Sequence, residues 1–261
     1  MKLAPIAPVD LLYTLERSNY QLMLPQLLRK ERYAAFYAEL CRDPEQYVIL
    51  DNGAAEDEPF DFEALAVICQ TMKPDELVLP DVYGDAAATL QLAVECFDWF
   101  AESDEWEQMS SVKLGVVLTG KSPAQAFELL EQLYDRGYVL DVVYMPRLLV
   151  QPNRLDARID LAHRVQDLHS VMRREVPIHF LGTSPLWAAE IRTAAKYVPF
   201  VRGVDTSMPF NYAWGRVDLK HDPRKQVSRP EYYFDLTFDD EQLALASLNL
   251  HTMQHWAAGR D

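Results

Sequence analysis

Val48-Ile49-Leu50-Asp51-Asn52-Gly53 sets three things side by side: a short apolar run, an aspartate where the run stops, and a turn dipeptide. The same order returns at Val78-Leu79-Pro80-Asp81 and at Val201-Arg202-Gly203-Val204-Asp205-Thr206. Short runs rich in Val, Ile and Leu and lacking a polar face read as strands covered on both sides, the pattern of a parallel sheet. If these runs are parallel, the three aspartates stand together at the C-terminal rim, where α/β barrels place their chemistry.

Outward from this motif the chain alternates. Strands are expected at 20–24, 47–50, 77–79, 113–118, 139–144, 178–181 and 200–204, with amphipathic helices at 27–41, 62–72, 86–101, 123–136, 154–174 and 185–196. Such alternation builds βαβ units. An eighth strand is expected from the N-terminal segment or from 232–237. No G-x-G-x-x-G follows any strand, which favours closure into a TIM-type (β/α)8 barrel over an open doubly wound sheet. With 261 residues, 49% of them hydrophobic, the expectation is one α/β domain. Its barrel core would lie at about 20–210 and a C-terminal loop and helix at 211–261. Beyond Asp205 the rhythm breaks into an irregular Met208-Pro-Phe-Asn-Tyr-Ala-Trp-Gly215 stretch, and the acidic stretch 56–61 reads as a surface loop.

Cys41, Cys69 and Cys96 show no close C-x-x-C spacing, so neither a disulfide framework nor a zinc ribbon is expected. The proline-broken N-terminus does not read as a signal peptide, and no apolar run approaches a membrane span. A cytoplasmic protein without membrane contact is the expectation. The net charge of −15 weighs against nucleic acid. The charge is uneven, however: residues 1–110 hold 22 acids against 7 bases, and residues 140–232 hold 14 bases against 10 acids. The densest basic stretch contains Lys220, His221, Arg224, Lys225 and Arg229.

Asn52-Gly53 is a turn pair that lets backbone approach a ligand beside Asp51. Asp85 reads as the cap of the next helix, leaving Asp81 without an evident structural duty. Thr119-Gly120 and Gly182-Thr183-Ser184-Pro185 add hydroxyls and helix-start N–H groups suited to an anion, though neither completes a P-loop. His251 and His255 are spaced i, i+4 but lack the glutamate of an H-E-x-x-H site, so they read as core or surface residues. Several aspartates with no activated histidine or cysteine leave two chemistries open. One is glycosyl transfer through a carboxylate nucleophile. The other is carboxylate-held Mg²⁺ or Mn²⁺ acting on a small phosphorylated metabolite. A non-catalytic barrel subunit is a third reading.

The succession Ile49-Leu50-Asp51-Asn52-Gly53-Ala54, Leu77-Val78-Leu79-Pro80-Asp81, Val116-Val117-Leu118-Thr119-Gly120, His179-Phe180-Leu181-Gly182 and Arg202-Gly203-Val204-Asp205 resembles the tRNA-guanine transglycosylase superfamily over residues 45–210. Those enzymes are TIM barrels that exchange guanine for a 7-deazaguanine base. The resemblance implies that Asp51 is the general acid/base and that Asp81 reads the Watson–Crick edge of the purine. Asn52, Gly53, Thr119, Gly120 and Gly182 would complete the base site, Thr119-Gly120 standing where the family has Gln-Gly. In the family's Gly-Ile-Asp-x-Phe-Asp pattern the second aspartate attacks C1′. Here Asp205 matches the first and Met208 stands in place of the second, which implies either that Asp205 has become the nucleophile or that the covalent step is lost; the former is expected.

The family's zinc-binding Cys-x-Cys-x-x-Cys segment is missing, and Tyr144-Met-Pro-Arg147 replaces its glycine-rich base loop. A zinc-free relative resembles the DpdA-like branch of phages and bacteria, which modifies duplex DNA. That resemblance implies a DNA partner, favoured over tRNA, a preQ0-like incoming base, no metal and no cofactor, and for a phage protein the host cytoplasm. Arg147, Arg202, Lys220, Arg224, Lys225 and Arg229 would hold the nucleic-acid backbone.

Overall fold

The computed structural model describes residues 1–56, 61–102, 109, 111–184 and 190–260. Its strands are β1 (Lys2–Pro5), β2 (Tyr20–Met23), β3 (Tyr47–Leu50), β4 (Glu76–Val78), β5 (Lys113–Val117), β6 (Val142–Pro146), β7 (Ile178–Leu181) and β8 (Val201–Thr206). All pair in parallel in the order β1-β8-β7-β6-β5-β4-β3-β2. The two ends of that order, β1 and β2, lie beside each other. No ladder joins them; instead the Ser18 hydroxyl sits 3.1 Å from the carbonyls of both Leu3 and Tyr20. The result is a single-domain α/β barrel, closed in space but lacking one rung set.

The eighth strand is thus the N-terminal segment, and the sheet begins well before residue 20. The 232–237 segment holds a 3-10 turn (Tyr233–Asp235) instead. Helices α1 (Glu31–Leu40), α2 (Phe62–Met72), α3 (Ala86–Glu102), α4 (Pro123–Asp135), α5 (Ala157–Met172) and α6 (Glu190–Tyr197) occupy the connections, with α7 (Met208–Trp214) and α8 (Asp240–Ala257) after β8. The expected helix at 27–41 is broken, because Lys30 takes an extended conformation between a 3-10 turn and α1. The first residues of the helix expected at 185–196, positions 185–189, lie outside the described residues, as do 57–60 of the acidic stretch. The segment read as irregular after Asp205 folds into α7, with Pro209 in its first turn, where a missing N–H costs nothing.

Local chemistry sets the boundaries. Asp61 caps α2 by accepting from the Ala64 N–H at 2.8 Å, and Lys73 ends it in the left-handed region. Asp239 and Gln242 form a reciprocal capping box at the start of α8. At 139–141 the expected strand gives way: the Asp141 carboxylate accepts from the Leu114 N–H at 2.9 Å, and β6 starts only at Val142.

Aliphatic side chains of β3 to β6 bury the wall of the barrel, while its N-terminal half is filled by polar and aromatic groups: Tyr20, Tyr47, Glu76, Tyr144, His179 and Arg202. Two glycines make room for the rings. A Cβ on Gly115 would lie 2.2 Å from the Tyr144 ring, and one on Gly203 would lie 2.5 Å from the Tyr20 ring. Among the described residues no helix is long and apolar enough to cross a membrane.

Gly115→Ala and Gly203→Ala should each lower stability by about 1–3 kcal/mol through overpacking. Urea denaturation is expected to show a lower midpoint at unchanged slope; an unaltered midpoint would mean that the rings are not seated against these glycines.

Candidate active site

Three neighbouring strand ends build one wall. Asp51 follows β3 directly and keeps its N–H on the Met23 carbonyl at 2.9 Å, continuing the ladder with β2. The chain then turns sharply: Gly53 has φ 77°, a left-handed value that glycine adopts without strain, and donates its N–H to Asp51 Oδ2 at 3.2 Å. Asn52 is buried and spans to the next strand end, donating to the Leu79 carbonyl and to Asp81 Oδ1, both at 2.8 Å. Asp81 is thereby fixed relative to Asp51. As expected, Asp85 caps the following helix, accepting from the N–H groups of Ala87 and Ala88.

Asp205 approaches from β8. Its Oδ1 accepts the Gly182 N–H at 2.9 Å and lies 3.2 Å from His179 Nε2, while Oδ2 accepts no hydrogen bond among the described residues. Gly182, with φ 66°, is held from beneath by Arg158 of α5. That fully buried guanidinium lies within hydrogen-bond distance of the carbonyls of Met145, Leu181 and Gly182, pairs with Glu190 of α6, and stacks on the Phe180 ring. A buried arginine with its charge paired and its donors used is a rigid strut, and here it sets the N–H that holds Asp205.

Asp51, Asn52, Asp81, Gly182, Asp205 and Met208 line one cavity of about 500 Å³ at the rim. That size is ordinary for a small-molecule site. The carboxylates are not equivalent. Burial, the charge of Asp205 and the charge of Asp81 push Asp51 up to about 7, against the Gly53 hydrogen bond. Burial pushes Asp81 up to about 6, opposed by the Asn52 hydrogen bond. Near neutral pH the site therefore contains carboxyl groups able to give and take protons.

Arg147 also reaches the cavity, exposed, its stem over Gly182. So does Arg229, whose guanidinium lies over the rings of Tyr233 and Phe234. The segment carrying Arg229 is tied down beside the cavity by Asn211, which donates to the Val227 carbonyl at 2.9 Å. Lys220, Arg224 and Lys225 are exposed on the same connection but outside the cavity wall.

Four expected placements differ. Gly53 turns the chain after Asp51 but does not line the cavity. Thr119 is fully buried and accepts the Gly84 N–H at 2.9 Å, so its hydroxyl closes the loop after Asp81 and does not reach the cavity. Gly120 packs against the first turn of α4, where a Cβ would meet Gln125 Cβ at 3.0 Å. Arg202 is turned to the opposite end of the barrel, bound by both Glu76 oxygens at 2.7 Å, and holds no position at the rim. The rings of His251 and His255 lie beside each other on α8, tilted by 53° with centroids 4.2 Å apart. Among the described residues no three His, Cys, Asp or Glu side chains converge as a metal site. His179 escaped the sequence reading, although a histidine between Ile178 and Phe180 in a buried strand is itself a signal, because such a side chain needs partners.

No protein-family model matches the chain, and no curated protein matches it. Among solved structures the chain is similar to the GH53 catalytic domain of Ignisphaera aggregans, at 12% identity and a TM-score of 0.52, covering 100% of this chain and 91% of that one. It also aligns with N-acetylneuraminate lyase from Mycoplasma synoviae, at 15% identity and a TM-score of 0.48, covering 100% and 89%. At 12% identity the likeness to the GH53 domain is one of barrel fold alone.

Asp51 gives a pH signature. Its carboxyl is held to about 7 in the folded protein against an ordinary 3.8, so between those values the folded state binds more protons than the unfolded chain. Stability contributed by this group is therefore present at acid pH and lost as pH rises through 7. Asp51→Asn should be more stable than the wild type at pH 8, by on the order of a few kcal/mol, with the gap closing near pH 4. Urea midpoints at both pH values check this; a gap independent of pH would show that folding does not shift the Asp51 carboxyl.

Proposed function

We propose that the protein is a base-exchange transglycosylase that replaces guanine in nucleic acid, DNA in preference to tRNA, with a 7-deazaguanine base. One observation carries the reading: two carboxyls share one cavity, Asp205 pinned through Oδ1 with Oδ2 accepting no hydrogen bond among the described residues, and Asp51 pushed up to about 7. This is the division of labour that double displacement at an anomeric carbon needs.

In the first step Asp205 Oδ2 attacks C1′ of the nucleotide. The C1′–O bond forms as the C1′–N bond to guanine breaks, and Asp51, protonated, gives its proton to the departing base. A 7-deazaguanine base then enters, loses its glycosidic N–H proton to the Asp51 carboxylate, and attacks C1′, releasing Asp205. Proton and carboxylate are both restored. Asp81, oriented by Asn52, is placed to meet N–H groups on the purine edge. Met208 lies in the cavity wall but has no nucleophilic oxygen, so in this reading Asp205 takes the attacking role. With Gly53, Thr119 and Gly120 outside the wall, Asn52, Asp81 and Gly182 are the remaining base-site candidates.

A base inside a duplex must be extruded to enter this cavity, at a cost of about a few kcal/mol. Arg147 and Arg229 at the mouth, with Lys220, Arg224 and Lys225 on the adjoining connection, suit the phosphates flanking an extruded nucleotide. The metal-dependent alternative finds no converging donor set among the described residues.

Radiolabelled guanine or preQ0 should be incorporated into duplex DNA, and less into tRNA, by the purified protein. Asp205→Asn should reduce exchange by at least about 10³-fold and abolish a protein–DNA adduct that survives denaturation. No incorporation into either polymer by folded wild-type protein would refute the reading. Replacing Lys220, Arg224 and Lys225 together by alanine should weaken DNA binding and flatten the slope of log K against log salt by about 3 at most. An unchanged slope would remove these side chains from the interface.

A further inference from the structure

Hydrogen bonds in the lower half of the barrel form a continuous chain that ends on Asp205, and the donor at every link can be deduced. A guanidinium has only donors, so Arg202 Nε, 3.0 Å from the Tyr20 hydroxyl, makes that oxygen an acceptor. The Tyr20 proton is then directed to His179 Nδ1 at 2.7 Å. Nδ1 accepts, so the imidazole carries its proton on Nε2, which points at Asp205 Oδ1. At the other end both Glu76 oxygens take Arg202 at 2.7 Å, and Tyr47 and Tyr144 donate to the same carboxylate.

We propose that Tyr20 and His179 are positioning residues: a one-way relay, anchored on the Arg202–Glu76 pair, that fixes the orientation of the Asp205 carboxylate and leaves Oδ2 free to react. An arginine in direct contact would engage both oxygens and quench a nucleophile. The relay keeps the cation two side chains away and presents a single neutral N–H. Burial lowers the imidazole pKa, which accords with a neutral ring although Asp205 opposes the shift. The groups around the ring are Tyr20, Tyr144, Asp205, Arg202 and Glu76. The effect on rate rests on the reading of Asp205 as nucleophile; the direction of the hydrogen bonds does not.

Side-chain ¹⁵N NMR of histidine-labelled full-length protein, with His179→Gln to assign the signal, tests the relay without substrate. His179 is expected to be neutral, with its proton on Nε2, from about pH 7 to 8. An Nδ1–H tautomer or an imidazolium in that range would overturn the proposal. In Tyr20→Phe, which keeps the ring that packs on Gly203, the signal should move toward mixed tautomers. With an exchanging base, kcat should drop about 10- to 100-fold while KM stays within about threefold. An unchanged tautomer in Tyr20→Phe, or an altered tautomer with full kcat, would also overturn it. The expected tautomer in a protein that exchanges no base would sustain the relay while refuting the transglycosylase reading.

Discussion

A charge placed inside a barrel has to be answered there, and the pairing of Glu76 with Arg202 is where this structure answers it. A lone ionised carboxylate in that position would cost several kcal/mol or lose its charge. Arg202 meets Glu76 with two parallel hydrogen bonds, and the surrounding donors, Tyr47 and Tyr144, complete it. Burial alone would raise the Glu76 pKa, yet these contacts hold it below the ordinary carboxylate range. Once both ions are fixed, the Tyr20 hydroxyl has one free direction, and the orientation of His179 and Asp205 follows.

The rim above works on the opposite principle. Among the described residues no cation pairs with Asp51 or Asp81; Asp51 has a backbone N–H and Asp81 an amide, so burial, joined at Asp51 by the charges of Asp205 and Asp81, keeps protons available. One barrel thus holds a carboxylate stabilised in its charged form at one end and carboxyls poised near neutrality at the other. The difference lies in what each strand end donates: Arg202 at the start of β8, and the Asn52-Gly53 turn after β3.

This contrast also explains what could be read from the sequence. The strand-ending aspartates were legible because a polar residue that stops an apolar run, followed by a turn pair, has few places to go in a parallel sheet. The alternating helices were legible by their periodicity, apart from 27–41, where an extended Lys30 interrupts a pattern that looks continuous. Arg202 was misplaced because local sequence shows its charge but not its partner, which lies 126 residues away. Thr119 was misplaced for a similar reason: a hydroxyl at a strand end suits a ligand or a neighbouring loop equally, and Gly84 claims it. Met208-Pro209 looked like a break because the helix it opens, α7, is only 7 residues long and shows no clear period, although proline in a first turn is favourable.

The seam between β1 and β2 has a consequence for how the chain acquires its shape. With no ladder to β2, β1 finds its backbone partner only in β8, where Lys2 to Pro5 pair with Gly203 to Thr206, about two hundred residues later. A strand that must wait that long adds a large loop-closure term to assembly and slows the final step. Until β8 arrives, β1 and β8's other neighbour β7 present unpaired edges, the kind of surface on which incomplete barrels associate. The Ser18 hydroxyl spans the seam from a position close in sequence to both edges, so it is the β1–β8 ladder that must wait for the rest of the barrel.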